Sequence, residues 1–186
     1  MRSKSFVFYL LFIITTPTYA KVGLCSDIFF ERRVDFGMLS KSFGHLRADF
    51  VRNGDDYKIF LFSKNNQLGF ISFSFTKSFH MARKKWEGQL SITLVETNRN
   101  YRKFGVAEAL YRLALEEIGE SNVQAIVATL EWTNLEKYLK EKNSGSAVPE
   151  VAVEQTPHYK IIRKLGFSVV RDILNPRAPR VVVGRD

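Results

Sequence analysis

The chain has 186 residues, 45% of them hydrophobic and sixteen of them phenylalanine, which excludes a disordered polymer and suits one domain with a sizeable core. Its formal net charge is +9, but the cations are dispersed and clusters such as Arg83-Lys84-Lys85 are short. A solvated basic surface therefore accounts for the charge better than a nucleic-acid interface, and it would also draw in anionic small molecules.

In chain order, residues 1–20 come first and differ in kind. Arg2 and Lys4 precede an apolar run, Phe6 to Ile14, and then Thr15-Thr16-Pro17-Thr18-Tyr19-Ala20. This reads as a secretory signal cleaved after Ala20, because the run falls well short of the roughly twenty residues that span a bilayer. The mature chain would be one domain, residues 21–186. Cys25 is the only cysteine, so an intrachain disulfide is impossible, and together with the three histidines it shows no metal-ligand spacing.

Residues 27–36 (DIFFERRVDF) fit a strand or a short helix equally well. His45 to Val51 alternates as a strand does, and Asn53-Gly54-Asp55 supplies a turn. Tyr57 to Phe62 and Leu68 to Phe75 flank Lys64-Asn65-Asn66 and predict a hairpin. Thr76 to Gly88 is polar and basic and reads as a loop. Within it, His80, Met81 and Trp86 are candidates to touch a substrate. Leu90, Ile92 and Leu94 then alternate with Ser91 and Thr93 in a strand with one buried face.

The helix that follows is marked by Val106, Leu110, Leu113, Ala114 and Ile118 at three- and four-residue steps, and Gly119 ends it. Between strand and helix lies Arg102-Lys103-Phe104-Gly105-Val106-Ala107. A helix N-terminus leaves about four backbone N–H groups unbonded and carries roughly half a positive charge, so it attracts phosphate. Arg99, Arg102 and Lys103 reinforce that charge, and Gly105 lets a ligand approach the backbone. An ordinary strand-to-helix connection with solvated cations would share this composition.

Arg102-x-x-Gly105-x-Ala107 after a strand resembles the pyrophosphate-binding loop of the GNAT superfamily of N-acetyltransferases, with Tyr101 in its usual place before the arginine. Lys164-Leu165-Gly166-Phe167 resembles the entry to a late strand of that fold, so the similarity covers roughly residues 45 to 175. The resemblance implies an α/β fold: a mixed, strongly twisted sheet of about six or seven strands with flanking helices. It also implies acetyl-coenzyme A as co-substrate, held by Arg102, Lys103, Phe104, Gly105, Val106 and Ala107, with Val95, Thr97 and Asn134 as further contacts. No metal is implied. Gln124 to Glu131 reads as a strand parallel to the central one, and the resemblance implies that it splays from it so that the pantetheine arm enters the gap.

Asn134 would contact the cofactor or cap the helix from Leu135 to Lys142. Asn143 to Gln155 departs from the family, and the insertion is expected as a loop over 143–156. A helical piece, Pro157 to Leu165, comes next, then strands at Gly166–Ile173 and Arg180–Val183 around Asn175-Pro176-Arg177. The family's frequent tyrosine acid falls on Ile162; Tyr159, about 4.5 Å earlier along the axis, is the substitute. Glu96, at the end of the central strand, is the candidate general base, with partial burial raising its pKa; pairing with Arg99 is its structural alternative.

The activity implied is transfer of an acetyl group to an amine of a small molecule or protein. The alternative is an exported binding or effector module that keeps the fold without the chemistry. Nucleic acid is not an expected partner, and neither is a stable membrane span. Export sits awkwardly with an intracellular acyl donor: a signal at 1–20 implies a secreted or periplasmic protein, whereas a start at Met38 implies a cytoplasmic one.

Overall fold

The computed structural model describes residues 28–80, 84–144, 149–174 and 179–185. The leader at 1–20, Cys25, Met81, the side chain of His80 and the Asn175-Pro176-Arg177 stretch lie outside the described residues. A single sheet of eight strands organises the rest, in the order β1-β2-β3-β4-β5-β6-β8-β7. The strands are β1 (Ile28–Val34), β2 (Leu46–Asn53), β3 (Asp56–Ser63), β4 (Asn66–His80), β5 (Lys85–Thr97), β6 (Ala125–Thr129), β7 (Val169–Leu174) and β8 (Arg180–Gly184). The helices are α1 (Met38–Phe43), α2 (Val106–Ile118), α3 (Trp132–Asn143), α4 (Pro149–Glu154) and α5 (Pro157–Lys164). The fold is the expected mixed α/β sheet with flanking helices, and it carries one or two strands more than expected.

β1 accounts for part of the difference. The ambiguous stretch after Asp27 pairs antiparallel with β2 from Ile28–Arg52 to Val34–Leu46, and Phe30 stacks on Phe50 with ring centroids 4.5 Å apart. Cross-strand aromatic stacking of this kind decides for strand what the local pattern leaves open. The loop expected over Thr76 to Gly88 is corrected as well: β4 continues to His80 and β5 begins at Lys85, so a long antiparallel hairpin replaces it. Thr76 to Phe79, Lys84 and Trp86 are exposed, and alternation carries no signal where neither face is buried. The insertion loop is a third correction. Residues 149–154 form α4, whose Ala152 and Val153 are buried.

α2 packs across β3, β4 and β5, burying Val106, Ala109, Leu110, Tyr111, Leu113, Ala114 and Leu115. Its close approach depends on Gly69 of β4. A Cβ there would run into the Glu96 carbonyl oxygen and stand 3.1 Å from Val106 Cγ1 and 3.3 Å from Leu110 Cδ1. Glycine inside a strand is otherwise a cost, so its place here is explained by the helix lying against it. At the far end, α2 stops at Gly119 (φ 81°), and the Asn122 side-chain amide donates to the Ile118 carbonyl at 2.8 Å. Glu116, poorly placed for the helix dipole, pairs with Arg32 of β1 at 3.2 Å.

Candidate functional site

Two local events at the end of β5 shape the site. The first is a bulge. Ser72 opposes Leu94 while Phe73 opposes Ile92, so Thr93 is the extra residue in β5. The second is a parting of strands. β5 pairs with β6 in parallel only from Gln89–Ala125 to Ile92–Ala128. From Thr93 to Thr97 β5 keeps β4 as its partner, and no strand among the described residues pairs with its other edge. β6 turns instead to β8, antiparallel from Ala125–Gly184 to Thr129–Arg180. Two neighbouring strands thus diverge, and a row of backbone donors and acceptors on β5 is left for something other than a strand.

The turn that follows is held to the sheet by asparagine. The Asn98 backbone N–H donates to the Leu68 carbonyl at 2.9 Å, and its side-chain oxygen accepts from the Asn100 N–H at 3.1 Å. A single 3-10 turn, Arg99–Tyr101, then leads into the basic segment. Lys103 and Gly105 both have left-handed backbones, with φ of 71° and 90°. Such turns direct successive N–H groups toward one side, the geometry that cups an anion. Gly105 is the N-cap of α2 and offers no side-chain oxygen, so no side chain caps the first turn. A Cβ on Gly105 would meet nothing within 4 Å, so the backbone there is open to a ligand. Glu108, the one acid of that turn, would repel phosphate, but it is bonded to Arg112 at 3.0 Å and Lys164 at 3.1 Å. Burial pushes its pKa up, yet those two cations outweigh it and hold the carboxyl below its usual value.

Arg102, Lys103 and Phe104 are exposed. Phe104 packs edge-to-face with Phe43 with centroids 5.1 Å apart, and Tyr101 does the same at 5.4 Å. Val106, the first residue of α2, is buried against the sheet, while Ala107 is half-buried. These residues suit a diphosphate: an uncapped helix start, exposed cations at Arg102 and Lys103, and a first-turn carboxylate already paired.

The remaining predicted residues divide. Val95 and Thr97 oppose Ile71 and Gly69, which puts them on the α2 side of the sheet, and both are half-buried. Glu96 opposes Phe70 on the other face. The partial burial expected for Glu96 is not found; it is exposed, in an open cleft of about 550 Å³ lined also by Gln67, Gly69, Asn98, Arg99 and Asn100. Among the described residues no ion pair joins Glu96 to Arg99. Asn134 belongs to α3, and its side-chain oxygen accepts from the His158 N–H at 2.9 Å, so it caps α5 rather than its own helix. Tyr159 is buried, with its hydroxyl donating to the Ser168 carbonyl at 2.6 Å. Ile162 is wholly buried. Trp86 is exposed on the hairpin, far along β5 from Glu96 in sequence.

Sequence reasoning missed the Thr93 bulge, Asn98 and the buried pair of Tyr111 and His158, whose hydroxyl and Nδ1 lie 2.7 Å apart. Gly69 was missed as well, although an isolated glycine within a strand pattern is a legible sign of a close backbone approach.

No protein-family model matches the chain, and no curated protein is similar to it. Among solved structures it is similar to an acetyltransferase from Vibrio fischeri, with 21% identity, 41% of this chain and 62% of that one covered, and a TM-score of 0.35. It is also similar to a GNAT-family acetyltransferase from Desulfovibrio desulfuricans, at 10% identity over 69% and 68% of the two chains with a TM-score of 0.44. A third is an aminoglycoside 6′-N-acetyltransferase complexed with coenzyme A, at 15% identity over 72% and 73% with a TM-score of 0.45. The chain spans less than two thirds of the length of the Vibrio fischeri protein.

Proposed function

We propose that the chain is an acyl-coenzyme A-dependent N-acetyltransferase of the GNAT type, acting on an amine of a small molecule or protein. One observation carries the reading: β5 parts from β6 after Ile92 and runs, through a cationic turn with left-handed Lys103 and Gly105, into a helix whose first turn no side chain caps. The amides of Phe104 to Ala107 would bind the pyrophosphate, with Arg99, Arg102 and Lys103 adding charge. The free edge of β5 at Val95 and Thr97 would bond the pantetheine arm as a strand would. Glu96 would take a proton from the incoming amine, directly or through water. The amine nitrogen then bonds to the thioester carbonyl carbon, the carbon–sulfur bond breaks, and the departing thiolate takes up a proton. Asn134, tied to α5, would act at one remove by fixing that helix.

Titration calorimetry with acetyl-coenzyme A tests the binding half, and thiol release over a panel of amines tests the chemistry. Glu96→Gln should lower turnover about a hundredfold while leaving coenzyme A affinity unchanged. Unchanged turnover would remove Glu96 as the base.

The second reading, an exported module that binds without catalysing, is favoured by one observation. The residue at the expected acid position is the buried Ile162, and the Tyr159 hydroxyl is already bonded to Ser168. Coenzyme A binding with no thiol release from any amine would select it. The location follows the N-terminus: cleavage after Ala20 implies the periplasm or beyond, and a start at Met38 the cytoplasm. Intact-mass measurement of the purified natural protein separates them.

A further inference from the structure

The hairpin of β4 and β5 does not end where the core ends. Phe73 and Phe75 lie on the α2-facing side and reach the edge of the globule at Gly88, where a Cβ would collide with the Asn122 carbonyl oxygen and lie 2.9 Å from the Phe75 ring. Residues two apart share a face, so Lys77 and Phe79 continue that face outward, with Trp86 directly opposite Phe79. Outward of Gly88 no helix among the described residues lies over the strip. Phe79 is 45% exposed and Trp86 68% exposed, with Phe104 the most exposed aromatics among the described residues. Large aromatics left in water at the end of a ribbon mark a contact surface.

Two features say what the surface meets. The first is charge. From Thr76 to Gly88 the sequence holds Lys77, Arg83, Lys84 and Lys85 against one acid, Glu87. Glu87 is buried and bonded to Arg171 of β7 at 2.8 Å, whereas Lys77 and Lys84 are exposed. The second is ring geometry. Phe79 and Trp86 meet edge to face, centroids 5.7 Å apart and planes 68° from parallel. Single-stranded nucleic acid wants separate open ring faces on which bases stack. Here one ring closes the other, forming a single apolar wedge with cations beside it. Tryptophan at the headgroup level, with lysine stems reaching for lipid phosphates, is the arrangement that anchors proteins to anionic bilayers.

We infer that the exposed strip of the β4–β5 ribbon formed by Lys77, Phe79, Lys84 and Trp86 is a peripheral docking site for an anionic membrane surface, with the two aromatics as the wedge and the two lysines as its cations. This is independent of the transferase reading, because the ribbon lies at the opposite end of β5 from Glu96.

The test is co-sedimentation of the full chain with vesicles of phosphatidylcholine, alone and mixed with phosphatidylserine, read together with tryptophan emission. The docked protein should bind the mixed vesicles, release in high salt, and shift its emission to the blue. Trp86→Phe should keep most of the binding and lose the shift. Lys77→Glu with Lys84→Glu should weaken binding about tenfold or more. All four positions are exposed, and an unchanged melting temperature certifies each variant's fold. The apolar run at Phe6 to Ile14 is present in every variant, so binding that ignores the ribbon substitutions would overturn the proposal. So would no binding to either vesicle, or preferential binding of oligothymidylate with Trp86 quenching.

Discussion

Gly69 shows how one missing methyl group sets the position of a site two elements away. The space its Cβ would need is taken by the Glu96 carbonyl and by Val106 and Leu110 of α2. Gly69→Ala should therefore lift the start of α2 from the sheet, costing about 1–3 kcal/mol of stability. It should also weaken coenzyme A binding, since the amides of Val106 and Ala107 move with the helix. Thermal melting and calorimetry check the two parts, and a variant destabilised without loss of affinity would separate the helix from the ligand. His158 is a second residue with a measurable signature. It is buried against Tyr111, and burial depresses its pKa from 6.5 to about 4. The folded state keeps it neutral while the unfolded chain binds a proton below pH 6.5, so stability is fully present above that pH and falls as pH drops toward 4. The loss from this group is about 3 kcal/mol across the window. Urea unfolding at a series of pH values should show it, and His158→Gln should flatten the slope.

Among elements, β7 is where a single irregularity carries the most consequence. Its register shifts between Val170 and Asp172, making Arg171 the extra residue. The bulge sends that side chain over Gly184 of β8, where a Cβ would collide with the guanidinium, to reach Glu87 of β5. Arg171→Met would take one guanidinium from the buried Glu87 carboxylate, a loss of about 1.5–3 kcal/mol by chemical denaturation. Adding Glu87→Gln should recover part of it, and strict additivity of the two would disprove the coupling. None of this was legible in the sequence, because GFSVVRDI reads as a strand whether or not it bulges. The elements that were legible share a strong one-sided pattern. Leu46, Ala48 and Phe50 alternate into the core, and Val106, Leu110, Leu113 and Ala114 keep helical period under the same core. α4 has six residues, too few for a period to emerge, and the outer half of the β4–β5 hairpin has no buried face to alternate against. The site divides in the same way. The basic turn announced itself through residue type, whereas the buried bond of Tyr159 and the open position of Glu96 depend on what packs beside them.

At the scale of the whole molecule, the question is whether the sheet stands without its first strand. β1 closes one edge through seven register pairs with β2, from Ile28–Arg52 to Val34–Leu46. It adds the Phe30–Phe50 stack and carries Arg32 across to Glu116 of α2. A chain begun at Met38 would retain α1 but lose all of these, leaving β2 as a bare edge with Phe50 uncovered. Unpaired edges of this kind recruit other chains. The half-buried Phe30 and its stack on Phe50 are together worth about 1–3 kcal/mol, a sizeable part of the margin by which a single domain stays folded. Protein spanning 38–186 should therefore melt well below protein spanning 21–186 and associate at concentrations where the longer form stays monomeric. Light scattering and thermal melting of the two decide it. Equal stability would mean that β1 is dispensable to the fold, and the internal start would then meet no physical objection.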